Sequence, residues 1–301
     1  MDRRIFPSTL IPTGRFSFGF PPPTRRLIGS GFRRGLRPPW WPLLVAALLV
    51  ALAPLATPVP IHAASFTVNT TADGTDASPG NGVCETAPGN GVCTLRAAIE
   101  EANANVFASH DTIHLPGGTY ILSVGSNVPP DGTIDLDIRE SLTILGDGAG
   151  TTIIDGGSGP TYDRVFEIAP FGGHIPEVTI SGLTIQNGAT GQGGGAIYND
   201  GAILSISDCT ITDNSATYGG GSSYNGNGGG IYNNGGSVTI QGSTLSDNQS
   251  RGVVVTAVAG GAIYNTGGGT LQLVDSTLSD NQVSTIFGTD AAARGGAVYN
   301  H

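Results

Sequence analysis

The chain has 301 residues, 48 of them glycine, and no lysine, so all 13 basic residues are arginines. Eight arginines lie in the first 37 residues, and 22 of the 23 carboxylates lie after residue 63, which leaves the body five arginines and a formal charge of −17. Such a body lacks the basic footprint of a nucleic-acid binder and has no charge-driven attraction to anionic lipid; its glycines show no every-third-residue register, which excludes collagen.

Residues 1–64 form a leader. An Arg/Pro/Gly-rich stretch precedes the uncharged run Leu43–Ala53, and prolines follow at 54, 58 and 60. A basic segment, a short apolar core and the small pair Ala63-Ala64 predict a secretory signal. An uncleaved membrane anchor is the alternative, since about 20 apolar residues span a bilayer. Either way the basic side stays cytoplasmic and the acidic body is exported. Thr24-Arg25-Arg26-Leu27 carries a twin-arginine hint but lies far from the apolar core.

Residues 65–110 form a second region. Phe66-Thr-Val-Asn-Thr70 reads as a strand. A local duplication follows, Pro79–Cys84 and Pro88–Cys93, each reading Pro-Gly-Asn-Gly-Val-Cys. Beyond it Leu95, Ala98, Ile99, Ala102 and Val106 fall at helical spacing. This predicts an amphipathic helix over Thr94–Ala104, with Glu100 and Glu101 off its apolar stripe. The helix is expected to cover the N-terminal end of whatever follows.

From residue 111 to 190 short alternating segments predict strands: Thr112–Leu115, Thr119–Leu122, Ile134–Ile138, Leu142–Leu145, Thr152–Ile154, Val165–Ile168, Val178–Ile180 and Leu183–Ile185. Residues 191–301 then repeat strictly. Gly-Gly-x-Ile/Val-Tyr-Asn ends at Asn199, Asn233, Asn265 and Asn300, at intervals of 34, 32 and 35 residues. Thr210–Asn214 returns as Thr244–Asn248 and Thr277–Asn281. Leu204-Ser-Ile206 returns as Val238-Thr-Ile240 and Leu271-Gln-Leu273. A fixed period of roughly 33 residues signals a repeat array. Period-two alternation, β-branched residues and Gly/Asn punctuation make its units strands.

Three strands per period predict an all-β, single-stranded parallel β-helix with a short N-terminal capping helix. Equivalent residues then stack at about 4.8 Å. The expected inward ladders are Ile197/Ile231/Ile263/Val298, Leu204/Val238/Leu271 with Ile206/Ile240/Leu273, and Ile211/Leu245/Leu278. Asn214, Asn248 and Asn281 are expected to form an amide ladder at a bend. Tyr198, Tyr232, Tyr264 and Tyr299 form an outward aromatic stripe. The uncovered edge at Val298-Tyr299 raises the expectation of a longer reading frame or end-to-end assembly, because an open edge invites pairing.

Cys93-Thr-Leu-Arg-Ala-Ala-Ile-Glu-Glu-Ala-Asn103, with Phe66-Thr-Val-Asn and the Asn-Gly-Val-Cys elements before it, resembles the CSLREA domain of exported bacterial proteins. Thr94 and Ala97 depart from the Ser and Glu of that signature. The Gly-Gly-x-Ile-Tyr-Asn coils resemble the right-handed parallel β-helix repeats of polymorphic outer-membrane proteins. Together the likeness covers residues 65–301. It implies export, a secreted or cell-surface location and a right-handed coil, and assigns no catalytic residues.

Candidate chemistry is sparse. Cys84 and Cys93 are expected to form a disulfide that pins a loop too small for its own core; two free thiols are the alternative. Cys209 falls in the column of Leu183, Ser243 and Ser276 and is expected to be buried and unpaired. Asp135 and Asp137, two apart on a strand, are expected on one outer face, and an inverting glycosidase needs carboxyls about 6.5–9.5 Å apart. Parallel β-helices host pectin lyases and polygalacturonases, so a pectate-lyase-like activity is the enzymatic alternative. Against it, the body's arginines form no repeat-aligned cluster. Calcium is the one cofactor considered, at Asp73, Asp76 and Glu85 or at the stacked Asp213, Asp247 and Asp280; turn formation is the simpler reading of the latter three. The tyrosine stripe is a candidate for stacking on sugar rings. The resulting expectation is a non-enzymatic structural or adhesive surface module, its partners extracellular polysaccharide or cell-surface components. It has no nucleic-acid partner and meets the membrane only through the N-terminal apolar segment.

Overall fold

The computed structural model describes residues 63–104, 110–123, 135–157, 163–218, 226–252, 258–285 and 293–301, all within one compact unit, Pro60–His301. The leader's apolar run, Val106 and Ile134 lie outside the described residues. Among those described, no helix is long and apolar enough to cross a membrane.

The fold is a parallel β-solenoid. Among the described residues its strands belong to four sheets, and every pairing between named strands is parallel. One complete coil shows the plan. Strand Ile197–Asp200 lies in a six-stranded sheet, Ile203–Ser207 in a seven-stranded sheet, Thr210–Thr212 in a second six-stranded sheet, and Ser215–Tyr218 in a four-stranded sheet. The chain then returns to the first sheet at Ile231–Asn234. The three strands read from the sequence are all present. The fourth, after each Asn214-type residue, was not anticipated, and among the described residues it begins only at Ala189–Thr190.

The register is the one the repeat requires. Ile231 pairs with Ile197 on one side and Ile263 on the other, and Val298 continues the column. Leu204, Val238 and Leu271 align, as do Ile206, Ile240 and Leu273, and Ile211, Leu245 and Leu278. Through Ile263 these columns are fully buried, whereas in the last coil Leu273 is 39% exposed. Burial of the branched side chains supplies the main drive for stacking.

The bends use residues that tolerate φ > 0. Between the seven-stranded sheet and the next, Gly182, Asp208, Gly242 and Asp275 occupy one column with φ of 66°, 53°, 58° and 47°. At the following bend Asn187, Asp213, Asp247 and Asp280 do the same at 53–58°. Asp and Asn reach this region more readily than bulkier residues. Turn geometry therefore accounts for the aspartate column that the sequence offered as a calcium candidate.

The helix α1 spans Leu95–Ala104. It packs on strands Asp111–Leu115 and Leu136–Ile138 of the first coil, and Leu95, Ala98, Ile99 and Ala102 join the core there. Strand Ser65–Thr67 adds to the seven-stranded sheet beside Thr112–His114. Cys84 and Cys93 are disulfide-bonded, which fastens the loop before α1. One expectation fails here. Glu100 and Glu101, read as lying off the buried stripe, are 6% and 2% exposed. They act as fixed acceptors: Glu100 Oε2 takes the Asp76 amide at 2.6 Å, and Glu101 takes the Gly80 amide at 2.6 Å and that of Gly82.

Candidate functional site

The outer face of the tyrosine-bearing sheet carries one continuous column. Asp137 pairs with Glu167, Glu167 with Tyr198, and the tyrosines follow in order through Tyr232 and Tyr264 to Tyr299. Alternation produces it: with Ile138, Ile168 and the Ile/Val ladder inward on strands, every neighbour at odd spacing must face out.

At its upper end the column meets charge. Asp135, Asp137 and Glu167 each bring one carboxylate oxygen within 4.8 Å of the others. Arg139 Nη2 reaches Asp137 at 2.7 Å and Glu167 at 3.0 Å. Arg164 pairs with Glu167 and lies 3.8 Å from Asp135; its Nη2 donates to Gln192 at 2.9 Å. Arg139 and Arg164 thus converge on carboxylates from two adjacent coils, a carboxylate/arginine meeting that no repeat alignment announces. Asp135 and Asp137 are brought together as expected, but they are 0% and 6% exposed. The expected open outer face is wrong because α1 packs on this strand. Arg96 Nη1 donates to the Asp135 carbonyl at 2.9 Å, and Asn103 Nδ2 to the Asp137 carbonyl at 2.7 Å. The oxygens also lie closer than the water-holding separation of about 6.5–9.5 Å that an inverting glycosidase uses. Two guanidiniums against three carboxylates balance most of the charge a cation would need.

The other acidic candidates are separately engaged. Asp73 binds Arg96 Nε at 2.8 Å and accepts the Ser123 amide at 2.7 Å. Asp76 accepts the amides of Ser78 and Glu85, and Glu85 that of Gly89. Asp213, Asp247 and Asp280 are exposed. None of these six falls in a group of metal-ligating atoms among the described residues. His174 lies 3.4 Å from buried Glu140.

Below the charged end the tyrosines stack. Ring centroids are 5.2, 5.0 and 5.3 Å apart from Tyr198 to Tyr299, with interplanar angles of 25°, 33° and 9°. Arg164 sits 4.9 Å above the Tyr198 ring, a cation–π contact strengthened by burial. At the other end Arg294 Nη1 lies 3.5 Å from the Tyr299 hydroxyl. The rings face one another, so edges and hydroxyls, rather than open faces, are presented to solvent. Burial, then the charge of Asp200, raises the Tyr198 phenol above its usual range; burial and the neighbouring phenols push Tyr232 up to about 12.

Behind the tyrosines runs an amide ladder that the sequence reading missed. Asn199 Nδ2 donates to Asn233 at 2.7 Å, Asn233 to Asn265 at 2.6 Å, and Asn265 to Asn300 at 2.6 Å. Each donor also serves a bend carbonyl, of Ala202, Gly236 or Gly269. The signal was available: Asn199 lies two residues from inward Ile197. The expected ladder at the other bend is present, with 3.0 Å from Asn214 to Asn248 and 3.0 Å from Asn248 to Asn281. Cys209 is buried and free, in line with Ser243, and burial pushes its thiol up to about 11.

No protein-family model matches the chain, and no curated protein or solved structure matches it. The geometry therefore stands alone. It includes one further feature, an open cleft of about 540 Å³ on the four-stranded sheet, bordered by Thr190, Ser215, Thr217, Gln249 and Arg251. Among the described residues Arg251 forms no ion pair.

Proposed function

We propose that this chain is an exported β-solenoid module of the CSLREA type, displayed at the cell surface or secreted, with a structural or adhesive role and no catalysis. One observation carries the non-catalytic part. The carboxylates best placed for chemistry, Asp135 and Asp137, are buried and tied to arginines, an arrangement suited to joining the first coils. The basic leader, the acidic lysine-free body and the Cys93–Asn103 motif support export; the disulfide suits an oxidising compartment.

Two measurements test this. In cells expressing the full chain, externally added protease should digest the body while the cells stay intact; a body that stays protected contradicts display. Purified protein should release no unsaturated uronide from pectin or alginate. Turnover that disappears in Asp135→Asn would replace the structural reading with an enzymatic one.

Glycan binding is the second reading, and the cleft beside Arg251 favours it. Its hydroxyl, amide and guanidinium groups suit a polyhydroxylated ligand. The stacked tyrosines suit it less, because a sugar needs a free ring face. On a glycan array Arg251→Ala should then remove a signal that Tyr232→Ala leaves in place.

A further inference from the structure

We propose that the tyrosine column is an oxidative cross-linking site, where a peroxide-driven one-electron oxidant joins neighbouring phenols into dityrosine and ties each coil covalently to the next. The inference rests on the reading of the chain as an exported structural module, which would meet such oxidants outside the cell.

Composition directs the oxidant to phenols. The only tryptophans, Trp40 and Trp41, and the only methionine, Met1, lie in the leader. In the body two cysteines are already a disulfide and the third is 2% exposed. Phenols are then the most readily oxidised side chains within reach, and the four of the column are half-exposed.

Geometry makes them react with each other. Parallel in-register pairing sets each ring against the same ring one coil away, at 5.0–5.3 Å between centroids. The Tyr232 ring also packs against Gly193, where a Cβ would lie 2.3 Å from it. Confinement of this kind gives a radical pair a high effective concentration compared with encounter between molecules. The Tyr232 phenol, pushed up to about 12 by burial and the neighbouring phenols, is protonated at neutral pH, so its oxidation releases a proton as well as an electron; Asp200 is a carboxylate whose charge both Tyr198 and Tyr232 feel.

The step balances. Each of two tyrosines loses one electron and its phenolic proton. The two phenoxyl radicals couple at ring carbons ortho to oxygen, forming one C–C bond. Those carbons then release their hydrogens as protons while both oxygens regain theirs. The pair has lost two electrons and two protons, which convert one hydrogen peroxide into two waters.

The test is to treat the purified chain with a haem peroxidase and hydrogen peroxide. Dityrosine fluorescence is expected on a band that migrates as monomer, with a yield independent of protein concentration. Peptide mapping should join Tyr232 to Tyr198 or Tyr264. Tyr232→Phe keeps the ring and the stack but removes two of the three adjacent phenol pairs, so the intramolecular yield should fall to the share of Tyr264–Tyr299. Tyr120→Phe, buried away from the column, should change nothing. Cross-links formed only between molecules, or an unchanged yield in Tyr232→Phe, would overturn the proposal. That result would leave the structural reading standing, whereas a body that stays protected from external protease would end the reading and not this chemistry.

Discussion

The two ends of the solenoid are held together by different chemistry. Among the described residues every ion pair lies between Asp73 and His174. The regular coils after residue 190 use amides, hydroxyls and phenols instead. The difference follows from repetition itself. A repeat stacks each residue on its own kind at about 4.8 Å, so a stacked position must hold a group that complements itself. A carboxamide qualifies, being donor and acceptor at once, as does a branched alkyl group or a phenol ring. A carboxylate does not, because like charges one strand apart repel. Where aspartates do recur, they are exposed at bends, or they alternate with glycine as in Gly182, Asp208, Gly242 and Asp275. The early coils are not bound to stack each residue on its own kind, and where Asp137 does lie on Glu167, Arg139 pairs with both.

The strongest way to break this contrast is at Arg96. Its side chain is 2% exposed and fills the gap between Asp73 and the Asp135 carbonyl. Removing one partner of a buried pair typically costs about 3–5 kcal/mol. Arg96→Ala should lower the unfolding free energy obtained by urea titration by that order. Solenoid stability is carried by neighbouring units, so the loss should be regional. Amide exchange should rise over Leu95–Ala104 and Asp111–Leu115 and stay slow at Ile231–Asn234. A uniform loss of protection along all coils would show that the two regions are not separately held.

The complementary break is Asn233→Ala. Asn233 donates to Asn265 and to the Gly236 carbonyl and accepts from Asn199. Truncation leaves buried groups without partners, at about 1–3 kcal/mol in all. Here exchange should rise in strands Ile197–Asp200 and Ile263–Thr266 while α1 keeps its protection. If α1 loosens as well, the coils respond as one block.

The same contrast explains what could be read in advance. Coils 191–301 were legible because like stacks on like: the spacing of Ile197, Ile231 and Ile263 is itself the register. The disulfide and the helix were legible as local patterns. The charged cluster was not, because Arg139 and Glu167 are 28 residues apart and Arg96 and Asp135 are 39 apart, with no repeat to announce the meeting. The buried state of Glu100 and Glu101 was hidden for a related reason: helical periodicity describes one packed face, and here the Asp76–Gly82 loop supplies a second. The fourth strand was missed because Ser215–Tyr218, Gln249–Gly252 and Gln282–Thr285 share little apolar pattern.

The smallest expected effect isolates charge from packing. Glu100 is buried and keeps one hydrogen bond, from the Asp76 amide, while its Oε1 has no hydrogen-bond partner among the described residues. Burial raises its carboxyl pKa above the ordinary 4.5, outweighing the lowering by that amide and by Arg96. The folded state therefore holds this proton more tightly than the unfolded chain does. Its contribution to stability is full below pH 4.5 and is lost as pH rises through the raised value, the reverse of a salt-bridged carboxylate. Glu100→Gln keeps an acceptor for Asp76 and removes the buried charge. It should raise the stability of the cap at neutral pH, and the gain should shrink toward pH 4. The regular coils, whose ladders carry no carboxylate, should show no matching change. A Gln variant less stable than wild type at neutral pH would mean that the negative charge itself, through Arg96, is what the cap requires.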